Sequence, residues 1–380
     1  MNIEGLWLED SEDKPWINPT LALQNARWRQ DVVQGLVPLG GITWLYGPSM
    51  SFKTFVAMSM AAAVSKGLPW LGRQTEDSTV IYIAAEGGEA LSVRRAAAEL
   101  DLPFGRAKLF VYQERPKADE ELGAVRLRGL IASAAGVTGK DYKDPAKKAA
   151  FDSAVARYGN DEVSDSLGLS LSVFVILDTY SQTSNGDDKA NVVAYVTALR
   201  DMIDDAARQD VKLTFLVIDH VTKSGDTFLG SVAKLNDVDS QIELVRSAGQ
   251  LFVTAHHRKI KDGAESKPVN MELVPFAIEG FEDAYGQTLQ TLVVRDGSRL
   301  AALESISSGK AGLVYTLIKN APAGSIEESE LRAKFRGHAD NAEARPESVA
   351  KAFRRSVDRL LDDGLISEED GRLTLVPDKT

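Results

Sequence analysis

The sequence predicts an α/β fold in which a mainly parallel β-sheet with an antiparallel extension is followed by a small C-terminal unit. Three observations support this prediction. Apolar strand-like runs alternate with helical stretches between residues 42 and 218, and such crossover connections favour parallel strands. After residue 230 the strand-like runs follow one another closely, as antiparallel strands do. Residues 310–380 instead have the order helix, helix, helix, hairpin.

Length and composition narrow the class of protein. A chain of 380 residues exceeds the usual size of one compact domain, so we expect two domains. The 44% hydrophobic and 26% charged residues are typical of a globular protein with a sizeable core. The absence of cysteine excludes disulfides, thiol catalysis and cysteine-ligated metals, and it fits a reducing, cytoplasmic location. We see neither a signal peptide nor an apolar run that could span a bilayer, and expect no membrane partner.

The net charge also bears on partners. A formal net charge of −11 argues against a grip on nucleic acid by the whole surface. Any contact with nucleic acid would therefore have to come from a local basic patch.

We divide the chain into three parts. Residues 1–35 are expected to form an N-terminal arm, extended at first and then a short helix. Residues 36–304 form the core, and the charged, irregular stretch at 114–169 is interpreted as an insertion. A linker of small residues, Ser305–Gly309, leads to the C-terminal unit at 310–380.

Each core element follows from a local pattern. The strands are short apolar runs, and the helices have apolar residues at helical spacing, the first of them rich in alanine and ended by Gly67. The predicted strands are Ile42–Tyr46, Thr79–Ala84, Lys108–Tyr112, Leu171–Leu177, Lys212–Ile218, Ser240–Val245, Gln250–His256, Val269–Pro275 and Thr288–Arg295. The predicted helices are Phe55–Lys66, Ala90–Leu100, Glu120–Ala135, Pro145–Tyr158 and Val192–Arg208.

A candidate phosphate-binding loop lies between the first strand and the first helix. It reads Gly47, Pro48, Ser49, Met50, Ser51, Phe52, Lys53, Thr54. Backbone amides of such a turn, together with the helix N-terminus, can hold phosphate oxygens. Lys53 would contact the β- and γ-phosphates of ATP and Thr54 would place its hydroxyl on Mg²⁺. The alternative is a chance spacing of these residues in an unrelated turn.

Phe52 departs from the usual pattern, in which glycine precedes the lysine. We expect a non-glycine residue to be tolerated there if its backbone is helical. It could still change the conformation of the loop or its affinity for nucleotide.

Two carboxylates follow other strands of the core. Asp178 comes at the end of an apolar strand, where it could hold the water shell of Mg²⁺ beside the loop. Glu86 also follows a strand directly and is our candidate for the base that positions the attacking water. The alternatives are an aspartate that begins a turn and a glutamate that caps a helix or lies in a simple turn.

Taken together, these residues resemble the RepA-like hexameric replicative helicases of plasmids and phages, a RecA-like group of ATPases. The resemblance covers about Gln34 to Ile278, and the set of motifs is fairly specific in this order and spacing. The motifs are Leu45–Thr54, Tyr82–Gly87, Ile176–Thr179, Ile218–Lys223, Gly230-Ser231 with Asp237 or Asp239, and Lys259–Gly263.

The resemblance implies a RecA-like core in a bacterial cell, encoded by a phage or a plasmid, with ATP bound between neighbouring subunits of a ring. By position, Glu86 is similar to the catalytic glutamate of the family and Asp178 to its metal-site aspartate. Arg94 or Arg95 corresponds to the basic residue of the following helix, and His220 to the histidine that senses the γ-phosphate. The simpler interpretation of His220 is a histidine that caps a buried strand.

The same resemblance implies a finger, which is a basic side chain that reaches from one subunit into the nucleotide site of its neighbour. Lys259 and Lys261 correspond to the Lys-x-Arg pair of the family, with lysine at the position of the usual arginine. A lysine neutralises charge but lacks the guanidinium fork, so Arg258 is a second candidate. A solvated basic turn is the alternative for this cluster.

The C-terminal unit resembles a winged helix-turn-helix. Its predicted helices are Ala311–Asn320, Glu327–Phe335 and Pro346–Asp363, with a wing tip at Glu369-Asp370-Gly371. The third helix is locally basic and could meet nucleic-acid phosphates. Its basic candidates are Arg345, Lys351, Arg354 and Arg355. The acidic wing leaves docking of a protein partner, such as a replication protein or a neighbouring subunit, as the alternative.

The function predicted from these features is an ATP-driven helicase or translocase that acts on single-stranded DNA. Candidate pore loops are Thr183–Lys189 and Thr222–Phe228, whose Lys189 and Lys223 would touch the DNA backbone. Ordinary surface turns are the alternative for each loop. Two other functions stay open, an accessory ATPase that loads a replication or recombination factor and a DNA-binding regulator that nucleotide switches.

Overall fold

The computed structural model of the chain describes residues 30–377 except 87, 89, 106, 136–171, 210, 222–236, 248, 262, 264–265, 307–308 and 342–343. Several predictions lie outside the described residues. They are residues 1–29 of the N-terminal arm, the helix Pro145–Tyr158 and the pore loop Thr222–Phe228 with Lys223.

Among the described residues, eleven strands belong to the core. A short antiparallel ribbon, β1 (Asp31–Val33) with β2 (Val37–Pro38), precedes the main sheet. The nine strands of that sheet are β3 Ile42–Gly47, β4 Thr79–Ala84, β5 Leu109–Tyr112, β6 Ser172–Asp178, β7 Lys212–His220, β8 Ser240–Arg246, β9 Phe252–Ile260, β10 Val269–Glu282 and β11 Thr288–Asp296.

The order of the strands is β11-β10-β9-β8-β3-β7-β6-β4-β5. In the part of the sheet ordered β8-β3-β7-β6-β4-β5, all neighbouring strands are parallel. The pairs from β8 to β11 are antiparallel, which confirms a mainly parallel sheet with an antiparallel extension. One detail differs, because we expected β8 within the extension and it instead pairs parallel with β3, so that the antiparallel part begins at β9.

The helices of the core cover both faces of the sheet. They are α1 Lys53–Ser65, α2 Ala90–Leu100, α3 Glu121–Ala135, α4 Tyr180–Thr183 and α5 Lys189–Ala207. Helix α3 lies in the segment predicted as an insertion, yet it packs on β4 and β6, and its Leu127 and Leu130 are fully buried. This part of the segment therefore contributes to the hydrophobic core.

Two hydrophobic clusters lie on opposite faces of the sheet. Leu45 of β3 packs with α1 on one face, whereas its neighbour Trp44 packs with Tyr195 and Leu199 of α5 on the other. Because every residue of β3 is buried, both side-chain faces of this strand are covered. Each large apolar side chain buried in this way contributes about 1.5–3 kcal/mol relative to its exposed state.

The C-terminal unit has its own core. Helices α7 Lys310–Lys319, α8 Glu328–Gly337 and α9 Pro346–Asp362 surround it, as predicted. Three short strands complete the unit in the order β12-β14-β13, with β12 Ser325–Glu327, β13 Ile366–Glu369 and β14 Arg372–Leu375. Asp370 and Gly371 both adopt positive φ at the wing tip, as a two-residue hairpin turn requires. This is the predicted winged arrangement.

The connection between core and C-terminal unit differs from expectation. Instead of a linker at Ser305–Gly309, a further helix, α6, runs from Ser298 to Ile306. Ile306 is buried in the C-terminal core, and the hydroxyl of Ser305 lies 2.7 Å from a guanidinium nitrogen of Arg359 on α9. The small residues therefore end a helix that packs on the unit that follows. In the part of the chain that the structure describes, no helix has the length and apolarity needed to cross a membrane.

Candidate functional site

The predicted site residues lie at the edge of the sheet where the parallel strands end, which we call the carboxyl edge. Gly47 at the end of β3 pairs with His220 at the end of β7, and Ala84 at the end of β4 pairs with Asp178 at the end of β6. Because parallel strands end at the same edge, the topology brings the loop after β3, Glu86, Asp178 and His220 together there.

Glycine at position 47 has a steric cause. A β-carbon at this position would lie 2.6 Å from the carbonyl oxygen of Leu244 on the neighbouring strand β8 and 2.7 Å from the hydroxyl oxygen of Ser51. Both separations are shorter than real β-carbon contacts. The start of the loop thus approaches β8 so closely that only glycine fits without displacing backbone.

Phe52 does not have a helical backbone, which was our condition for tolerance of a non-glycine residue. It lies at the N-cap of α1 with φ 63° and ψ 20°, in the left-handed region. A non-glycine residue costs roughly 1–2 kcal/mol there, because its β-carbon crowds the following carbonyl oxygen. Met50 is left-handed as well, with φ 65°. The loop therefore turns into α1 through two left-handed residues that both carry side chains.

Lys53 is buried and points back into the loop. Its ammonium nitrogen donates to the carbonyl oxygens of Gly47 at 2.9 Å and Pro48 at 2.7 Å. Burial lowers the pKa of Lys53 from its ordinary 10.5 to about 8, although nearby carboxylates, Asp178 foremost, partly oppose this shift. In this conformation the ammonium group is hydrogen-bonded to loop carbonyls. Phosphate oxygens would have to replace these carbonyls as its partners.

Asp178 accepts hydrogen bonds from two hydroxyls. The Thr54 hydroxyl lies 3.0 Å and the Tyr82 hydroxyl 2.6 Å from the same carboxylate oxygen, Oδ2. Burial raises the pKa of Asp178, and the two hydrogen bonds lower it in part by favouring the ionised form. The predicted metal-site pair, Thr54 and Asp178, is thus in direct contact in the folded chain.

Glu86 lies just beyond β4 with an exposed side chain. Its carboxylate oxygen Oε1 accepts a hydrogen bond of 3.0 Å from the Thr179 hydroxyl. The backbone amides of Ala85 and Glu86 donate to the carbonyl of Asp178, at 2.8 and 3.3 Å. These hydrogen bonds between the ends of β4 and β6 fix Glu86 beside Asp178, the predicted metal-site residue, and leave the glutamate carboxylate accessible.

His220 ends β7 next to the start of the loop. Burial and the charge of Lys53 lower its pKa. The amide of Val221 donates to the carbonyl of Gly47 at 3.4 Å, so that the histidine is held at the base of the loop. Within the described residues its ring nitrogen Nδ1 is buried without a hydrogen-bond partner, as is the hydroxyl of Ser51.

These observations test whether ATP and Mg²⁺ fit the site. A hydroxyl and a carboxylate in contact are hard oxygen donors of the kind that Mg²⁺ takes, and they stand at the N-terminus of a 13-residue helix that favours anions. The buried polar atoms of Ser51 and His220 beside the loop are free to pair with phosphate oxygens. The residues present therefore fit a magnesium-bound nucleoside triphosphate.

The predicted finger residues lie elsewhere. Because β9 is antiparallel to β8, Lys259 and Lys261 come at the edge where the parallel strands begin, which we call the amino edge, opposite the loop. Lys261 lies 4.0 Å from a carboxylate oxygen of Asp239, and Arg258 pairs with Glu243 at 2.7 Å. Burial lowers the pKa of Lys259, and the charge of Lys261 adds to this shift. The structure thus places Lys259 and Lys261 away from the loop of their own chain.

The two arginines predicted on the helix after Glu86 differ in their contacts. The guanidinium of Arg94 lies 4.5 Å above the ring centroid of Phe55, in the first turn of α1. Arg95 instead pairs with Glu99 of its own helix at 2.7 Å. Arg94 is therefore the arginine that reaches toward the loop.

The nucleic-acid candidates are exposed where the structure describes them. Lys189 is the first residue of α5, preceded by Asp188, whose side chain caps the helix. Only part of the pore loop Thr183–Lys189 is accessible, because Thr183 and Ser184 are buried. The basic residues of the C-terminal unit lie on the exposed face of α9 or at its N-cap. They are Arg345, Lys351, Arg354 and Arg355.

The sequence analysis assigned no contact to three residues of the site. Tyr82 contacts Asp178, and Arg246 contacts the loop. Asp219 accepts a hydrogen bond of 3.1 Å from the indole of the buried Trp44. A tyrosine in an apolar strand and an arginine at a strand end carry no local signal. The polar residue inside the apolar run of β7 was the one clue available for Asp219.

Comparisons with known proteins give the family. No curated protein sequence matches the chain. Among solved structures, the crystal structure of the RadB recombinase aligns over 62% of this chain and 88% of its own, with 13% identity and a TM-score of 0.34, too low a likeness to bear on function. A family model described as an AAA domain matches residues 22–226, more than half of the chain, and this range includes the loop, Glu86, Asp178 and His220. The chain therefore belongs to the AAA-domain family AAA_25, a family of RecA-like ATPases.

Proposed function

We propose that the chain hydrolyses ATP at the interfaces of a ring, which is hexameric as in the RepA-like helicases that the chain resembles. The ring uses this hydrolysis to move along single-stranded DNA during replication. The observation that carries the proposal is the convergence of Lys53, Thr54, Asp178 and Glu86 at one edge of the sheet. Family membership supports the ATPase part of the proposal.

Each of these residues has a separate role. Lys53 neutralises phosphate charge once it leaves the carbonyls of Gly47 and Pro48. Thr54 and Asp178 would hold Mg²⁺, which supplies charge neutralisation to the phosphates when bound. Glu86 orients the attacking water and accepts its proton. Its carboxylate is accessible, and it accepts a hydrogen bond from Thr179, the residue after Asp178.

The position of the basic pair supports the ring. Lys259 and Lys261 lie at the amino edge, so any phosphate site that these cations contact would belong to a neighbouring subunit. A site divided between two chains requires assembly for full activity. This arrangement is the physical reason to expect a homo-oligomer.

The test is ATP hydrolysis by the full chain with and without single-stranded DNA, together with strand displacement. We expect DNA to stimulate hydrolysis and ATP to drive displacement in the wild type. Lys53→Ala should abolish hydrolysis, because the phosphates lose their cation. Hydrolysis that does not respond to single-stranded DNA, or a chain that stays monomeric with ATP and Mg²⁺, would contradict the proposal. Stimulated hydrolysis without displacement would instead indicate an accessory ATPase.

A second candidate function is a DNA-binding regulator whose assembly is switched by nucleotide. The exposed basic residues of α9, the position of a recognition helix, favour it. Its test is duplex binding by the full chain, with Arg354→Ala/Arg355→Ala compared with Lys319→Ala on α7. Sequence-specific duplex binding that only the double variant loses would favour the regulator. Binding of single strands without sequence preference would favour the translocase.

A further inference from the structure

Four side chains form one connected group of cation–aromatic and aromatic contacts beside the candidate phosphate loop. The guanidinium of Arg246 lies 4.4 Å above the ring centroid of Phe52, and the rings of Phe52 and Phe55 meet edge to face at 6.2 Å. The guanidinium of Arg94 on α2 lies 4.5 Å from the ring centroid of Phe55. We call these four residues the cation–aromatic stack. It connects the end of β8, the loop and the helix that follows Glu86.

Arg246 also holds the backbone of the loop. One terminal nitrogen of its guanidinium donates to the carbonyl oxygen of Met50 at 3.1 Å, and its Nε donates to the carbonyl of Gln250, also at 3.1 Å. The second bond fixes the guanidinium against the turn after β8. One side chain therefore contacts both left-handed residues of the loop, Met50 through its carbonyl and Phe52 through its ring.

The two left-handed residues need such support. A side-chain-bearing residue persists in this conformation only when surrounding contacts hold it. The side chain of Met50 is 78% exposed and cannot supply them. The ring of Phe52 can, because it lies between a guanidinium and a second ring. Arg246 thus provides by contact what glycine would provide through its conformational freedom.

We propose that Arg246 is a positioning residue for nucleotide: by stacking on Phe52 and donating to the carbonyl of Met50, it holds the left-handed turn of the loop, so that nucleotide meets an ordered loop. The proposal rests on the proposed ATPase function. Arg246 acts through its contacts with Phe52 and Met50.

The first test measures hydrogen exchange of residues 47–54 in the nucleotide-free protein. Arg246→Ala should exchange faster, since the two left-handed residues lose their support. Arg208→Ala serves as the matched control, because Arg208 pairs with Asp205 at the C-terminal end of α5, remote from the loop. Unchanged exchange in Arg246→Ala, or an equal change in both variants, would overturn the proposal whether or not the chain binds ATP.

The second test separates positioning from a general loss of stability. Arg246→Ala should raise the KM for ATP about tenfold while kcat at saturation changes less than about twofold, because bound phosphate itself orders the loop. Arg246→Lys keeps the charge but not the planar fork, so it should remain impaired. In a Phe52→Gly background, Arg246→Ala should have a smaller effect, since glycine adopts the left-handed conformation unaided.

The outcomes separate this proposal from the proposed function. Undetectable ATP binding by the wild type would remove the ATPase role, and the exchange measurement would still decide on Arg246. Normal ATP binding by the wild type together with an unchanged KM in Arg246→Ala would remove the positioning role alone. Equal effects of Arg246→Ala with Phe52 and with glycine at position 52 would also contradict it, since the two residues would then act independently.

Discussion

The two edges of the sheet present their cations in opposite ways. At the carboxyl edge Lys53 is 6% exposed and donates two hydrogen bonds within its own loop. At the amino edge the side chain of Lys261 is 56% exposed and lies 4.0 Å from Asp239. A group that must be ready inside its own chain is buried and fixed, whereas the exposed cation is available to another molecule. The comparison separates what one chain supplies from what assembly would add.

The largest expected effect concerns the carboxyl edge itself. Glu86→Gln should lower ATP hydrolysis by about 10²–10⁴-fold, the usual contribution of a general base, because the amide cannot accept the proton of water. Nucleotide affinity should be retained, since the change leaves Lys53 and Thr54 in place. Single-turnover hydrolysis and calorimetry with ATP and Mg²⁺ measure the two quantities. If Glu86→Gln hydrolysed ATP at the wild-type rate, a residue other than Glu86 would position the attacking water.

A smaller effect is expected from the amino edge. Lys261→Ala should lower hydrolysis by about 10²-fold, less than an arginine finger contributes, because lysine lacks the planar fork. The informative experiment mixes this variant with Lys53→Ala chains. Some interfaces then combine an intact loop with an intact Lys261, so hydrolysis should partly recover. If hydrolysis did not recover in a mixture whose chains are shown to co-assemble, Lys261 would not act in the neighbouring subunit's site.

The buried cation at the carboxyl edge should make nucleotide affinity depend on pH. Lys53 has a pKa of about 8 in the nucleotide-free chain, lowered by burial, and bound phosphate would raise it. Above pH 8 binding must therefore take up a proton, and affinity should fall about tenfold per pH unit, whereas below pH 8 this group adds no dependence. Lys53→Arg stays charged and should remove the slope. A titration of Kd between pH 7 and about 9.5 decides the matter.

The smallest effect concerns the contact of Tyr82 with Asp178. Tyr82→Phe removes a hydrogen bond of 2.6 Å to a buried carboxylate and should lower the free energy of unfolding by about 1 kcal/mol. It should also raise the pKa of Asp178 further, because this bond favours the ionised form. Denaturant titration measures the loss of stability. Tyr285→Phe, at a side chain that is 88% exposed, is the control and should leave it unchanged.

The sequence predicted those features that local patterns encode. Strand β4 and helix α2 have the bounds that apolar periodicity indicated, and the glycine, lysine and threonine of the loop sit where a strand turns into a helix. Asp178 was found for the same reason, as a charge at the end of an apolar run. Such signals depend on neighbours in the chain.

The missing features depend on contacts between distant segments. Arg246 meets the loop across almost 200 residues of sequence, and nothing in the residues around it marks this contact. The left-handed backbone of Phe52 likewise depends on the stack around its ring. The predicted linker Ser305–Gly309 overlaps the end of α6. Its small residues are a local signal for a loop, whereas the packing of Ile306 in the C-terminal core is a distant contact. The roles of the site residues stay predictions that the experiments above address.

The approach of Gly47 to Leu244 has an evolutionary consequence. Every larger residue at position 47 would meet the backbone oxygen of Leu244 at 2.6 Å, and a backbone atom cannot move aside as a side chain can. At position 52, in contrast, glycine would relieve the left-handed conformation. In a library of single amino-acid changes screened for ATP hydrolysis, we therefore expect position 47 to tolerate no replacement, whereas glycine in place of Phe52 should be tolerated.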